Sequence, residues 1–157
     1  MSFDPSNFRK ALSCFTTGVT VVAAGKGASA RGITVSSFAS VSLEPPLILW
    51  CMNRKSRRYD TFTKAENFTV SVLTEAQRAI SDRLATPGEG LLEGLELKAT
   101  ETGVPALAGA VAVFECAREA IHEMGDHAII AGRVLRYSWG ETDKPLVYFR
   151  GGYARLA

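Results

Sequence analysis

Strand-like runs recur along this chain at short intervals. VTVVAA (19–24), GITVSSFASVSL (32–43), PPLILWCM (45–52) and NFTVSVL (67–73) are followed by AVAVFECAREAIHE (110–123), HAIIAGRVLRYSW (127–139) and KPLVYFRG (144–151). β-Branched and aromatic residues crowd these runs, and turn residues separate them. Helical signals are few and short. DPSNFRKALSCF offers Asp4 as a cap, Pro5 in the first turn and Phe8, Leu12 and Phe15 on one face, with Gly18 as a stop. SRRYDTFTKA sets Tyr59 and Phe62 on one side, and EAQRAISDRLA sets Ala76, Ile80 and Leu84 in line. Many strands with few helices predict a mainly β chain (α+β), built as a barrel or a sandwich. Its 157 residues suit one domain over 1–157 with a sizeable core. In NFTVSVL, Phe68, Val70 and Val72 alternate with Asn67, Thr69 and Ser71, which predicts a half-buried strand.

The run at 32–43 carries Thr34, Ser36, Ser37, Ser40 and Ser42. Serine competes for backbone hydrogen bonds and forms strands poorly. Odd positions from 33 to 43 read Ile, Val, Ser, Ala, Val, Leu; even positions from 34 to 42 read Thr, Ser, Phe, Ser, Ser. One face is apolar and the other hydroxylic, with Ser37 and Phe38 exchanged in the middle. That exchange predicts a kink or bulge.

Composition closes off several functions. A net charge of +2 is too small for nucleic-acid binding. No apolar run approaches the roughly 20 residues of a membrane helix. MSFDPSNF lacks the basic and apolar regions of a secretory leader, so a cytoplasmic protein is expected. Cys14, Cys51 and Cys116 stand far apart in apolar contexts and read as buried free thiols.

Two motif-like stretches lose their meaning in context. GKGASA (25–30) fits the G-x-G-x-x-A dinucleotide fingerprint, but Gly32 and β-branched Ile33, Thr34 and Val35 follow where a helix is required. It reads as a hairpin turn. HEMGDH (122–127) lacks the H-E-x-x-H spacing, and Gly125 interrupts any helical face. It reads as an exposed turn, with no metal site.

NRKSRRYDTF gathers Arg54, Lys55, Arg57 and Arg58 around Ser56, after Asn53 and just before a helix signal. One reading is a solvated basic turn. The other is an anion site using the free N–H groups of a helix start. Beside the hydroxyl strand, such a turn can place hydroxyls, cations and the N–H groups of a kink at Ser36 and Ser37 around one phosphate.

The ordered set FRKALSCFTTGVTVV, GITVSSFASVSLEPPLILWC, NRKS, NFTVSVL, GDHAIIAGRV and PLVYFRGGY closely resembles the short-chain flavin reductases, the reductase components of two-component flavin-dependent monooxygenases. The resemblance covers nearly the whole chain. It implies a split β-barrel of the FMN-binding type, a homodimer, in which NADH or NADPH reduces non-covalently bound FMN or FAD for a partner oxygenase. It further implies that Thr34, Val35, Ser36 and Ser37 flank the ribityl chain and phosphate, and that Ser40 and Val41 lie near the polar edge of the ring. Asn53, Ser56 and the adjacent cations Lys55, Arg57 and Arg58 would fix the phosphate end. His127, in GDH, and Tyr153, in GGY, are the residues it implies for the nicotinamide nucleotide. The loop from Thr86 to Gly109 is not diagnostic of the family and is a candidate for substrate choice. Hydride transfer between two cofactors needs no protein nucleophile, which fits the lack of any Ser-His-Asp or Cys-His signature. The alternatives are a non-enzymatic flavin-binding electron carrier on the same barrel and, more distantly, an oxidase of the related pyridoxal-phosphate group.

Overall fold

A computed structural model of the chain describes residues 3–141 and 144–156. In chain order the elements are α1 (Pro5–Leu12), β1 (Thr17–Gly18), β2 (Thr20–Ala24), β3 (Arg31–Val35), β4 (Ala39–Leu43), β5 (Pro46–Asn53), α2 (Tyr59–Lys64) and β6 (Asn67–Val72). They continue as α3 (Arg78–Ala85), β7 (Leu97–Lys98), β8 (Ala106–Leu107), β9 (Ala112–Met124), β10 (His127–Trp139), β11 (Val147–Phe149) and β12 (Gly152–Ala154). The main sheet has seven antiparallel strands in the order β3-β2-β6-β9-β10-β5-β4.

That order dictates the shape. β3 and β4 lie at opposite ends of the sheet, yet Ser36, Ser37 and Phe38 alone connect them. A linker of this length spans at most about 14 Å between its flanking Cα atoms. The sheet must therefore curl until its two edges approach each other. The result is a mainly β split barrel, with the seam at the kink expected between Ser36 and Phe38. A further irregularity falls at Val41, where Ser40 faces Ile48 and Ser42 faces Leu47.

Apolar alternation fills the barrel. Ile48, Trp50 and Met52 point inward from β5 and meet Val22, Phe62, Phe68, Val70 and Ile130. Trp50 packs edge-on against Phe62 and Phe68, with centroids at 5.4 and 6.0 Å. Gly132 is required by this packing: a Cβ there would stand 2.4 Å from Phe68 Cζ.

A second apolar layer covers the outside of β2, where Val21 and Ala23 pack with Leu84, Leu92, Val104 and Leu107. This layer corrects the half-buried reading of β6. Thr69 and Ser71 are buried as well, because residues 104–107 lie over them. Thr69 Oγ1 donates to the Pro105 carbonyl at 2.7 Å, and Ser71 Oγ accepts from Leu107 N–H at 3.1 Å. These hydrogen bonds make the polar face compatible with burial.

α1 also departs from expectation. Asp4 caps it, accepting from Ser6 N–H at 2.8 Å, and Pro5 opens it, but it stops at Leu12 and buries none of its residues. Its apolar side is exposed, and Phe15 beyond it is 79% exposed. Cys14 is exposed and Cys51 half-buried, so of the expected buried thiols Cys116 alone fits. GKGASA connects the antiparallel strands β2 and β3 as a hairpin. HEMGDH forms the turn between β9 and β10, and no metal-binding group of three His, Cys, Asp or Glu occurs among the described residues. No helix there is long and apolar enough to cross a membrane.

Candidate functional site

The hydroxyls of the seam divide into two sets. Thr34 Oγ1 donates to the Ser81 carbonyl at 2.7 Å and ties β3 to α3. Ser37 Oγ accepts from Cys51 N–H at 2.9 Å and faces the Cys51 carbonyl at 3.5 Å, standing in for a strand neighbour where the ladder is broken. Ser36, Ser40 and Val41 are exposed, and Ser36 lines a cavity beside β3. Side-chain-to-backbone bonds to distant segments thus brace the kink.

β5 runs from this seam into the basic turn. Asn53 Oδ1 accepts from Lys55 N–H at 2.8 Å, and the Asn53 carbonyl accepts from Ser56 N–H at 3.1 Å. Ser56 Oγ accepts from Arg58 N–H at 3.2 Å, one step ahead of α2. Lys55 and Arg57 are exposed and form no ion pair among the described residues, whereas Arg54 pairs with Glu123 at 3.3 Å. Lys55 attracts Asp126 through space, but neither cation is closed into an ion pair, which leaves both able to meet a phosphate.

Arg58 is a correction to the sequence reading. It is 5% exposed and turns inward, away from Lys55 and Arg57. Its Nη1 donates to the Gly32 and Leu84 carbonyls at 2.8 Å each, and its Nη2 to the Thr86 carbonyl at 2.9 Å. Burial pulls its pKa below the ordinary arginine value. These carbonyls, brought in by β3 and by the end of α3, outcompete a surface role.

His127 opens β10 directly across from Asn53, and Arg54 N–H donates to the Asp126 carbonyl at 3.0 Å. Strand register therefore places the histidine beside the basic turn. Its side chain is 41% exposed, with Nδ1 2.7 Å from Asp126 Oδ1. That hydrogen bond holds the Asp126 carboxyl below its ordinary value.

Tyr153 lies elsewhere. It borders a cavity of about 440 Å³ with Thr34, Val35, Ser36, Ser81 and Tyr148, which His127 does not line. Its hydroxyl donates to Asp82 Oδ1 at 2.8 Å and lies 2.7 Å from Ser81 Oγ. The Arg78 guanidinium sits 4.8 Å from the ring centroid. Burial leads the upward shift of the tyrosine's pKa. The structure thus sets Tyr153 against the β3 end of the seam and His127 against the basic turn, so the two do not share one cavity.

Sequence reasoning missed Arg78, Ser81, Asp82 and Tyr148. The polar face of α3, with Arg78, Ser81, Asp82 and Ala85 at helical spacing, was the available signal. Three larger cavities, of about 670, 660 and 470 Å³, contain none of the seam, turn or histidine residues.

A hydroxyl-lined break beside a cavity walled by Val19, Val35, two tyrosines and polar side chains of α3, followed by a turn with exposed cations, suits a flat heteroaromatic ring joined to a phosphate. Residues 12–157 match the flavin reductase-like domain. The chain belongs to that family. It is 43% identical to the FMN reductase (NADH) SmoA of Agrobacterium fabrum, over 96% of this chain and 86% of that protein. It is 42% identical to the reductase component of 4-hydroxyphenylacetate 3-monooxygenase of Thermus thermophilus, over 95% of each. The structure of the NADH:FAD oxidoreductase SgcE6 of Streptomyces globisporus, in complex with NAD and FAD fragments, superposes with a TM-score of 0.91 at 34% identity. That alignment covers 100% of this chain and 97% of SgcE6.

Proposed function

We propose that this flavin reductase-family chain, acting as one unit over 1–157, uses NADH or NADPH to reduce FMN or FAD and releases the reduced flavin to a partner monooxygenase. When bound, the two cofactors supply the hydride chemistry themselves. The protein's share is to bind and to orient. Thr34, Val35, Ser36 and Ser37 border the ribityl and phosphate side, and Ser40 and Val41 meet the polar edge of the ring. Asn53 and Ser56 shape the turn from which Lys55 and Arg57 hold the phosphate. His127 holds the nicotinamide nucleotide, and Tyr153 supports the β3 side of the site.

The observation that carries this reading is the pairing of His127 with Asn53 across β10 and β5, two residues along β5 from the Ser37–Cys51 contact. It brings the nucleotide candidate to the flavin candidates. The names of the similar proteins support both FMN and FAD, NADH as donor, and a monooxygenase as recipient.

A homodimer accompanies this reading. The uncovered apolar side of α1 and the stacked, exposed pair Tyr137 and Trp139 are the surfaces a second copy would cover. A cytoplasmic location fits an enzyme that draws on the pyridine-nucleotide pool. The test is steady-state oxidation of NADH and of NADPH with FMN, FAD and riboflavin in turn, before and after dialysis against a chelator. Flavin-dependent oxidation that survives the chelator is expected. Absence of oxidation with every flavin would refute the assignment, and a monomer in sedimentation equilibrium would refute the dimer.

A further inference from the structure

Arg58 is a buried cation that the binding scheme above does not use. It follows the basic turn directly, and its backbone N–H closes that turn on Ser56 Oγ at 3.2 Å. Its side chain runs the other way and bonds carbonyls from two separate segments. Gly32 lies in β3, two residues before Thr34, while Leu84 and Thr86 belong to the last turn and cap of α3. Helix ends leave such carbonyls without intrahelical partners, and a cation there also meets the negative end of the helix dipole.

The packing around this guanidinium is tight. Gly32 N–H donates to the Gly90 carbonyl at 2.8 Å. A Cβ on Gly90 would lie 2.4 Å from the Gly32 carbonyl oxygen and 2.7 Å from Arg58 Cδ, at a φ of +69° that already favours glycine. Residues 86–90 are therefore pressed onto Arg58 and β3 together.

Each segment in this clamp carries part of the site. The turn carries Asn53, Lys55, Ser56 and Arg57. β3 carries Thr34 and leads to Ser36. α3 carries Ser81, whose carbonyl accepts from Thr34, and Asp82, which holds Tyr153. We infer that Arg58 is a positioning residue: one buried guanidinium sets the spacing between the phosphate-holding turn and the wall of the cavity formed by β3 and α3. The inference deepens the flavin reductase reading and rests on it for the part concerning flavin.

The test uses Arg58→Met and the milder Arg58→Lys in the full chain, below the unfolding transition of each. Lysine keeps the charge but cannot reproduce the planar fork that reaches three carbonyls. Hydrogen exchange is measured without and with FMN, and FMN and riboflavin affinities are measured by fluorescence titration. Exchange without flavin should accelerate about tenfold or more at residues 53–57, 31–35 and 81–92, while β9 and β10 keep their protection. FMN and riboflavin should weaken by similar factors, about tenfold, because the wall moves as well as the turn. Arg57→Ala is the contrast, weakening FMN alone.

Loss of FMN affinity alone, with unchanged exchange in the flavin-free protein, would overturn the inference and make Arg58 a phosphate ligand. Uniformly faster exchange with unchanged flavin affinities would overturn it in favour of plain stabilisation. If the wild-type chain binds no flavin, the flavin reductase reading fails. The exchange arm still decides whether Arg58 couples the three segments, and unchanged exchange in Arg58→Lys and Arg58→Met would end that claim too.

Discussion

Ser36 and Ser37 are neighbours in sequence, yet alanine at each should do different damage. Ser37 Oγ accepts from Cys51 N–H at 2.9 Å and faces its carbonyl at 3.5 Å. Ser37→Ala leaves that amide without its partner at the seam. An unsatisfied, partly buried backbone group costs about 1–3 kcal/mol, and half-burial here argues for the lower half, about 1–2 kcal/mol. In a chain of this size each kcal/mol lowers Tm by about 2–4 °C, so a fall of about 2–8 °C is expected. Flavin binding should weaken with it, since the seam lies next to Asn53. Ser36 is exposed, and its hydroxyl makes no hydrogen bond among the described residues. Ser36→Ala should shift Tm by no more than about 1–2 °C. If the Ser36 hydroxyl bonds the ligand, the same change weakens flavin about three- to tenfold. Thermal unfolding without flavin and fluorescence titration with FMN separate the two effects. An unchanged Tm for Ser37→Ala would refute the claim that its hydroxyl closes the barrel seam. Full flavin affinity in Ser36→Ala would remove that residue from the site.

Arg57→Ala combined with Lys55→Ala should weaken FMN about ten- to hundredfold and riboflavin far less, because a charged hydrogen bond to phosphate contributes about 1.5–3 kcal/mol; equal losses in titrations of both would leave the turn as solvated surface. His127→Ala should raise the apparent KM for NADH while flavin Kd stays near wild type, and a fall in kcat as well would show that the ring also orients the nucleotide; unchanged NADH kinetics with weakened flavin would move His127 to the other ligand. Burial pushes the Cys116 thiol up to about 12 from 9.0, so its contribution to stability is complete below about pH 9 and is lost as pH rises toward 12. A chromogenic disulfide reagent should therefore react first with exposed Cys14 and reach Cys116 on unfolding; rapid reaction of Cys116 in the folded protein, located by mass spectrometry, would contradict its burial.

Much of the local structure was legible because it depends on neighbouring residues. Asp4 and Pro5 mark the start of α1, the β-branched runs mark the strands, and the exchange of Ser37 and Phe38 marks the break between β3 and β4. Gly32 and Ile33, following GKGASA, were enough to exclude a phosphate-binding helix there. The half-burial of β6 was not legible. Alternation shows which side chains share a face, but Thr69 and Ser71 are buried by residues more than thirty positions away, at Pro105 and Leu107. α1 shows the converse: its apolar side predicts a cover, yet among the described residues only Phe3 packs on its Phe8 and none of its side chains is buried.

By itself, then, the sequence determined the strand-rich character, the hydroxylated seam, the basic turn and the family resemblance. Each rests on residue order and short-range stereochemistry. The tertiary structure alone decided which candidates meet. Register between β5 and β10 put His127 opposite Asn53, and the β11–β12 hairpin carried Tyr153 to α3 instead. Among the clustered cations of residues 54–58, Lys55 and Arg57 face solvent while Arg58 turns inward. Carbonyls of Gly32, Leu84 and Thr86 converge on its guanidinium, and nothing within hydrogen-bonding reach along the local chain encodes that convergence.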